Sequence, residues 1–222
     1  MSIPFGSYHF MDDDSDDFPP PEAASEEGIL AFGSNLRPAT ILKAYRHGAF
    51  PWFNEADPIT WHHPDPRMVL FPQKIKLSKS MRNVLNQNRF RFTVNKDFAG
   101  VIHQCRVAKR DGLPGTWISD TIEAVYTSLH RTGFAHSAEA WYQNELVGGL
   151  YGVLIGKVFF GESMFAHQAN ASKFAFIKMV ELLQQNGIEL IDCQVYTPHL
   201  ESLGAELISR NEFVRLLQKL VP

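Results

Sequence analysis

Apolar residues in the second half of the chain follow two periodicities. Spacings of three and four residues predict amphipathic helices that begin near Ser119 or Asp120, at Asn170, and close to the C-terminus. Alternating or continuous apolar runs predict strands near 135–143, 146–155, 157–165 and 189–196. The order is helix, antiparallel meander, helix, strand, helix. It predicts an α+β fold with an acyltransferase-like domain over residues 116–222.

The first half of the chain is less regular. Pro38 near the first turn and Gly48 at the end indicate a helix over residues 38–47. A loop rich in proline and aromatic residues follows at 50–67. The remaining pattern predicts a strand at 68–71, a helix capped by Ser78, a strand at 90–95, a helix at 97–109 and a loop at 111–115.

Charge is distributed unevenly, although the net charge is only −3. Residues 1–27 contain eight acids and no Lys or Arg, so we expect an acidic, disordered tail. Residues 67–110 contain eleven of the 21 basic residues and a single acid, Asp97. We therefore expect residues 28–115 to form a small basic domain. The density of positive charge favours contact with nucleic acid over an ordinary solvated face.

The composition argues against several classes of protein. No apolar run reaches the roughly 18–20 residues of a membrane span. The N-terminus lacks the basic start and apolar segment of a secretory signal. Two cysteines, Cys105 and Cys193, are too few for a disulfide framework. We expect a cytoplasmic protein that does not contact the membrane.

A carboxylate interrupts the apolar run VFFGESMFAH at residues 158–167. Strict alternation places Phe160, Glu162 and Met164 on one face of the predicted strand. Burying an unpaired carboxylate costs several kcal/mol. Glu162 therefore needs either a partner or a function.

The predicted strand ELIDCQVY carries two more polar residues. Alternation places Asp192 and Gln194 on the face opposite Cys193 and its apolar neighbours. A structural role, in which the pair satisfies nearby backbone groups, fits the local pattern as well as a role in a cleft does. Together with Glu162, the pair would form a polar cluster in an apolar pocket, which is typical of small-molecule sites.

The sequence lacks the motifs of metal sites, serine nucleophiles and nucleotide cofactors. His62 and His63 are adjacent, and neither HExxH nor CxxC occurs, so we expect no metal. Ser163 lies outside a G-x-S-x-G elbow, and no P-loop or dinucleotide fingerprint is present, so we expect no cofactor. The turn AHQANAS at 166–172 lacks glycine, which weakens the alternative of a coenzyme A-dependent N-acyltransferase.

The remaining features point to one kind of ligand. The tryptophans at positions 52, 61 and 117 suit stacking on an unpaired base. An apolar pocket with one carboxylate suits an amino acid with an apolar side chain and a free ammonium group. The aminoacylated 3′ end of a tRNA has both parts. A non-catalytic RNA-binding module is the other alternative.

Nine short motifs occur in order between about residue 28 and about residue 215. They are GAFPWF (48–53), PDPR (64–67), GTWI (115–118), AHS (135–137), LVGGLYG (146–152), FFGESMF (159–165), NASK (170–173), LIDCQV (190–195) and SLGA (202–205). These motifs resemble those of the bacterial leucyl/phenylalanyl-tRNA–protein transferases. His62-His63 departs from the Trp-Ser expected for the family after Trp61.

The resemblance implies transfer of Leu, Phe or Met from aminoacyl-tRNA to proteins or peptides with an N-terminal Arg or Lys, which marks them for degradation. It also implies a small N-terminal domain followed by an acetyltransferase-like (GNAT-like) domain. We expect a monomer. By motif match, Gln194 and Asp192 correspond to the catalytic pair, and Glu162 to a substrate-orienting acid. In that mechanism the Gln194 carbonyl accepts a hydrogen bond from the attacking amine, while Asp192 fixes the carboxamide.

Further residues are expected to bind the aminoacyl end of the tRNA. Trp52 and Trp117 match aromatics that hold the terminal adenosine. The residues expected to complete the adenosine and aminoacyl pocket are Phe53, Leu150, Ser163, Met164, Phe176, Met179 and Leu183. Those expected to contact tRNA phosphates, on the basis of charge, are Lys74, Lys76, Lys79 and Arg82.

Overall fold

The computed structural model describes residues 8–54, 56–108 and 117–222. The loop predicted at 111–115 therefore lies outside the described residues. The helices in the described part are α1 (Pro38–His47), α2 (Lys79–Asn86), α3 (Phe98–Val107), α4 (Asp120–Arg131), α5 (Ala171–Gln185), α6 (Pro198–Ser202) and α7 (Arg210–Leu220).

The strands of the described residues form two sheets. The smaller sheet has the order β1-β2-β4-β3 and contains β1 (Phe10–Met11), β2 (Ile29–Gly33), β3 (Phe50–Pro51) and β4 (Thr60–His62). The larger sheet has the order β11-β5-β10-β9-β8-β7-β6. Its strands are β5 (Arg67–Leu70), β6 (Arg91–Val94), β7 (Ala135–Tyr142), β8 (Glu145–Ile155), β9 (Val158–Ala166), β10 (Leu190–Gln194) and β11 (Glu206–Ile208). The predicted meander is confirmed as β7-β8-β9, and the α+β class is confirmed with it.

The larger sheet separates two hydrophobic cores. Alternate residues of β8 face opposite sides, because Tyr151 belongs to one core and Leu150 to the other. Helices α1, α3, α4 and α7 cover the first core, and α2 and α5 cover the second. The periodic helices predicted from the sequence therefore bury their apolar stripes against this sheet.

The larger sheet extends across residue 115, where the sequence predicts a domain boundary. Strand β5 lies between β10 and β11, and β6 pairs with β7. All four residues of β5 are buried, so this short strand depends on partners that come much later in the chain. The smaller sheet contains only strands up to His62. Local sequence patterns do not reveal such long-range pairing, and the predicted extent of the basic domain differs from the observed arrangement for that reason.

The described part of the predicted acidic tail packs against the body of the protein. Strand β1 pairs in parallel with β2, and the Met11 side chain is buried. Phe18 packs edge-on against Trp61, with ring centroids 4.9 Å apart. Two acids of this segment form ion pairs with Lys43 of α1, Asp16 at 2.7 Å and Asp17 at 3.0 Å. Apolar anchors among the acids explain why residues 8–27 differ from the predicted disordered tail.

A β-bulge lies at Glu162 in β9. Tyr151 pairs with Ser163 and Gly152 pairs with Gly161, so Glu162 is the extra residue between the two pairs. The bulge inverts the alternation, since Phe160 belongs to the first core and Met164 packs against the second. The predicted common face for Phe160, Glu162 and Met164 is therefore wrong.

Candidate active site

A cavity of about 350 Å³ opens where β9 and β10 meet the end of β3 and helices α5 and α6. Its wall contains most of the residues that the sequence predicts for the site. Those residues are Trp52, Trp117, Leu150, Glu162, Ser163, Met164, Phe176, Asp192 and Gln194. The lining is mainly apolar with a few polar groups, as in small-molecule sites generally.

Glu162 is surrounded by donors from three other elements. Tyr45 from α1 donates to Oε1 over 2.5 Å, and Tyr126 from α4 donates to Oε2 over 3.1 Å. The Gln194 side chain donates from Nε2 to Oε1 over 3.0 Å. Burial raises the pKa of Glu162 to about 8, and these hydrogen bonds oppose the rise. The bulge explains how one carboxylate in an apolar strand reaches three polar partners.

Asp192 is completely buried and paired with Arg67 of β5. Arg67 donates from Nε to Oδ1 over 2.8 Å and from Nη2 to Oδ2 over 2.6 Å. The guanidinium lies between two rings, 4.8 Å from the centroid of Phe50 and 4.5 Å from that of Phe213. A bidentate, ring-stacked arginine holds a carboxylate in a fixed orientation.

Gln194 has a left-handed backbone with φ 65°. The pairing of β10 with β5 shifts its register between Asp192 and Gln194, and the Gln194 backbone N–H donates to Asp192 Oδ1 over 2.9 Å. Asp192 therefore holds the backbone of Gln194, whereas Glu162 holds its carboxamide. This arrangement differs from the expectation that Asp192 fixes the carboxamide directly.

The aromatic and histidine residues of segment 50–67, which contains β3 and β4 and is not the continuous loop predicted, differ in exposure. Trp52 is 44% exposed, and its ring lies 5.4 Å from that of His62. His63 is buried near Arg67, and burial together with the positive charge of Arg67 lowers the pKa of His63 to about 3. His63 is thus neutral at physiological pH, and the exposed Trp52 ring is open for stacking.

Three predicted pocket residues lie away from the described cavity wall. Met179 and Leu183 are buried in the second core with the rest of the apolar face of α5. Phe53 is partly buried and packs against the first core. A single helical stripe supplies both core and pocket residues, and the sequence alone does not separate them.

The four predicted phosphate contacts are all exposed. Lys74 pairs with Glu206 over 2.5 Å and lies over the Phe71 ring, whereas Lys76, Lys79 and Arg82 form no ion pair with any described residue. Not every basic residue of segment 67–110 is exposed beside these four, because Arg67 is buried and paired with Asp192.

Sequence reasoning missed three residues that hold the polar groups. Arg67 enters the sequence analysis only within a motif and a charge count, and Tyr126 lies on the apolar stripe of the helix predicted from Ser119 or Asp120. Tyr45 lies in a predicted helix and carries no local signal. Each contacts a partner 36 or more positions away, as with Tyr126 and Glu162. No local pattern records such a contact.

Fold and site together define an α+β protein with a preformed cavity that combines apolar walls with a cluster of polar groups. The chain matches the family model described as leucyl/phenylalanyl-tRNA protein transferase over residues 69–218, and the model of that family's N-terminal domain over residues 34–65. The chain therefore belongs to the leucyl/phenylalanyl-tRNA protein transferase family.

Two relatives of that name illustrate the similarity. The protein from Christiangramia forsetii is 52% identical over 202 residues, which cover 90% of this chain and 95% of the relative. The protein from Pseudomonas aeruginosa strain LESB58 is 50% identical over 205 residues, covering 91% and 90%. The similarity thus extends over nearly the whole length of each protein.

Solved structures with a similar shape are much more distant in sequence. FemX has 12% identity and a TM-score of 0.48, covering 69% of this chain and 64% of FemX. A GCN5-related N-acetyltransferase from Kribbella flavida has 8% identity and a TM-score of 0.40, covering 79% and 62%. Separately, no helix in the described part of the chain is long and apolar enough to span a membrane.

Proposed function

We propose that the protein transfers Leu, Phe or Met from aminoacyl-tRNA to the N-terminal Arg or Lys of acceptor proteins by forming a peptide bond. The observation that carries this proposal is the cavity wall, which places Glu162 and Gln194 beside Leu150, Met164 and Phe176 in a member of this family. An apolar side chain and an α-amino group can both be satisfied there.

The chemistry requires no cofactor. An aminoacyl ester is already activated, so the neutral α-amine of the acceptor attacks the ester carbonyl carbon directly. The new C–N bond forms, the bond to the 3′ oxygen of the tRNA breaks, and the proton lost by the amine balances the proton gained by that oxygen. Holding the two reactants in position supplies several kcal/mol of the rate enhancement.

Gln194 is proposed to orient the attacking amine. Its Nε2 donates to Glu162, so the side-chain carbonyl oxygen of Gln194 points away from Glu162. No described residue donates a hydrogen bond to that carbonyl oxygen. An amide is too weakly basic to take the proton itself, so Gln194 positions the amine rather than deprotonates it. Asp192 and Arg67 act behind it by fixing its unusual backbone.

The remaining parts of the aminoacyl-tRNA are assigned to the surfaces around the cavity. Glu162 receives the donor α-ammonium, and Trp52 and Trp117 stack on the terminal adenosine. Lys74, Lys76, Lys79 and Arg82 neutralise phosphates further along the tRNA. We further propose that the protein acts as a cytoplasmic monomer and that its products are marked for degradation.

Label transfer tests the proposed function. The protein is incubated with tRNA carrying labelled Phe and with a peptide that begins with Lys or Arg. We expect label in the peptide, and none when the same peptide is acetylated at its α-amine. Binding of the tRNA without transfer to any basic N-terminus at any salt concentration would contradict the proposal and favour an RNA-binding module.

A further inference from the structure

Three oxygen atoms of the site form a closed triangle. The Tyr45 and Tyr126 hydroxyl oxygens lie 2.5 Å apart. Tyr45 is also 2.5 Å from Glu162 Oε1, and Tyr126 is 3.1 Å from Glu162 Oε2. Each of these three contacts needs one proton between its two oxygens.

Counting protons distinguishes the two states of Glu162. When its carboxylate is ionised, only the two tyrosine protons are present, and one contact brings together two oxygens without a proton. When the carboxyl group is protonated, three protons serve three contacts in a ring. In this ring the contact with Tyr126 has the opposite direction from that of the ionised state: Oε2–H donates to Tyr126, Tyr126 donates to Tyr45, and Tyr45 donates to Oε1. The Gln194 amide donates to Oε1 in either state.

The charges around Glu162 also favour the neutral acid. No ion pair among the described residues includes Glu162, and the nearby Arg67 is committed to Asp192. From β10, the negative charge of Asp192 adds to burial in raising the pKa of Glu162 to about 8. From β8, Tyr151 packs edge-on against the Tyr126 ring and brings no cation.

We propose that Glu162 is protonated in the free protein and releases its proton when the α-ammonium of the donor amino acid enters the cavity, an inference that rests on the proposed function. The ammonium replaces the proton as the positive partner of the carboxylate. The O–H bond of the carboxyl group breaks, the proton goes to solvent, and no oxidation or reduction takes place. The occupied site then contains an ion pair in place of the neutral acid. Below about pH 8 the empty cavity therefore holds a neutral acid in place of an unpaired charge, whose burial would be costly.

The chemistry of the ligand follows from this exchange. A free α-ammonium triggers proton release, whereas an acylated amine cannot, because it carries no charge to replace the proton. The site thereby recognises an unblocked amino acid by its charge, in addition to the fit of its side chain.

Calorimetry tests the exchange on the intact protein. The probe is phenylalanyl-adenosine joined through a stable 3′-amide, titrated in buffers of different ionisation enthalpy, and its N-acetyl form is the control. At pH 7 we expect net release of between about half and one proton per ligand, since both the acid and the ligand amine titrate near pH 8. At pH 9 the exchange should reverse to net uptake, and the N-acetyl form should show none at either pH.

Glu162→Gln is the informative variant, because a carboxamide can donate to Tyr126 and preserve the ring without titrating. We expect this variant to bind the probe without releasing a proton, while Glu145→Gln, which alters an exposed acid on β8, releases as the unmodified protein does. A protonated-carboxyl infrared band should be present in the free protein, absent from Glu162→Gln, and lost when the probe is added.

The possible outcomes separate this inference from the function on which it rests. Binding and label transfer with equal proton exchange for the free and acetylated probes would overturn the inference and leave the function intact. Loss of both probe binding and label transfer would contradict the function itself. Proton release confined to the free amine, and abolished by Glu162→Gln, would establish the exchange.

Discussion

At the residue scale, Gln194 has a strained backbone and is also the residue that we propose to orient the attacking amine. Its φ of 65° is a conformation that costs a side-chain-bearing residue about 1–2 kcal/mol relative to glycine. We expect both Gln194→Ala and Gln194→Gly to lower kcat strongly while leaving the affinity for aminoacyl-tRNA nearly unchanged, because in the proposed mechanism the side chain orients the acceptor amine. The Gly variant should unfold at equal or higher urea concentration than the Ala variant.

Steady-state kinetics and tRNA binding measured on both variants check this prediction. A loss of tRNA affinity with kcat unchanged would show that Gln194 contributes only to binding. A Gly variant less stable than the Ala variant would show that the left-handed backbone carries no cost.

Glu162 gives the second prediction at this scale, through the pH dependence of stability. Its pKa is about 8 in the folded protein and near 4.5 for an exposed glutamate. Between these values the unfolded chain loses the proton and the folded protein keeps it, so the free energy of unfolding falls as pH rises. We expect Glu162 to account for a loss of up to about 4 kcal/mol between pH 5 and pH 8.

Urea denaturation at both pH values measures this effect against Glu162→Gln. The difference in unfolding free energy between the two pH values should be smaller in the variant. An identical pH dependence in the two proteins would mean that Glu162 titrates normally when folded.

At the scale of elements, strand β5 joins the site through one buried ion pair. Removing only Arg67 leaves the Asp192 carboxylate buried without a cation, which typically costs about 3–5 kcal/mol. We expect Arg67→Met to be severely destabilised and Arg67→Met with Asp192→Asn to recover much of that loss. The double variant should still have a reduced kcat, because the charged acceptor of the Gln194 backbone N–H and the guanidinium that fixes its orientation are both gone.

Denaturation of the two variants, followed by kinetics on the double variant, tests the role of this pair. A double variant with unchanged kcat would limit Arg67 and Asp192 to a structural role. A double variant that regains no stability would show that the Arg67–Asp192 ion pair itself stabilises the fold. The loss in Arg67→Met would then not come from an isolated buried carboxylate.

The same scale shows what the sequence could and could not predict. The apolar stripes of α4 and α5 and the three strands of the meander were readable because their contacts repeat within each element. The bulge at Glu162 and the register shift at Gln194 were not readable, since both arise where a strand meets a distant partner. The polar residues themselves were predicted, but their hydrogen-bond partners were not.

At the scale of the whole molecule, the smaller sheet and the larger sheet both contribute to one site, since Phe50 and Pro51 of β3 line the cavity beside residues of β9 and β10. Tyr45 comes from the helix between β2 and β3, while Glu162 and Gln194 come from the larger sheet. Composition correctly indicated an excess of basic residues before position 110, yet it could not show that Arg67 lies inside the fold rather than on the surface.

The exposed bases provide the last prediction. Replacing Lys74, Lys76, Lys79 and Arg82 with Gln should weaken aminoacyl-tRNA binding and reduce the slope of log affinity against log salt by roughly 3, at about 0.7–0.9 for each phosphate that is no longer neutralised. The matched control replaces four exposed bases elsewhere, Arg131, Lys157, Arg215 and Lys219, and so changes the net charge equally. Because counterion release depends on direct pairing with phosphates and not on net charge, the control should keep the original slope. Equal slopes for the two quadruple variants would assign the salt dependence to the overall charge and place the tRNA on another surface.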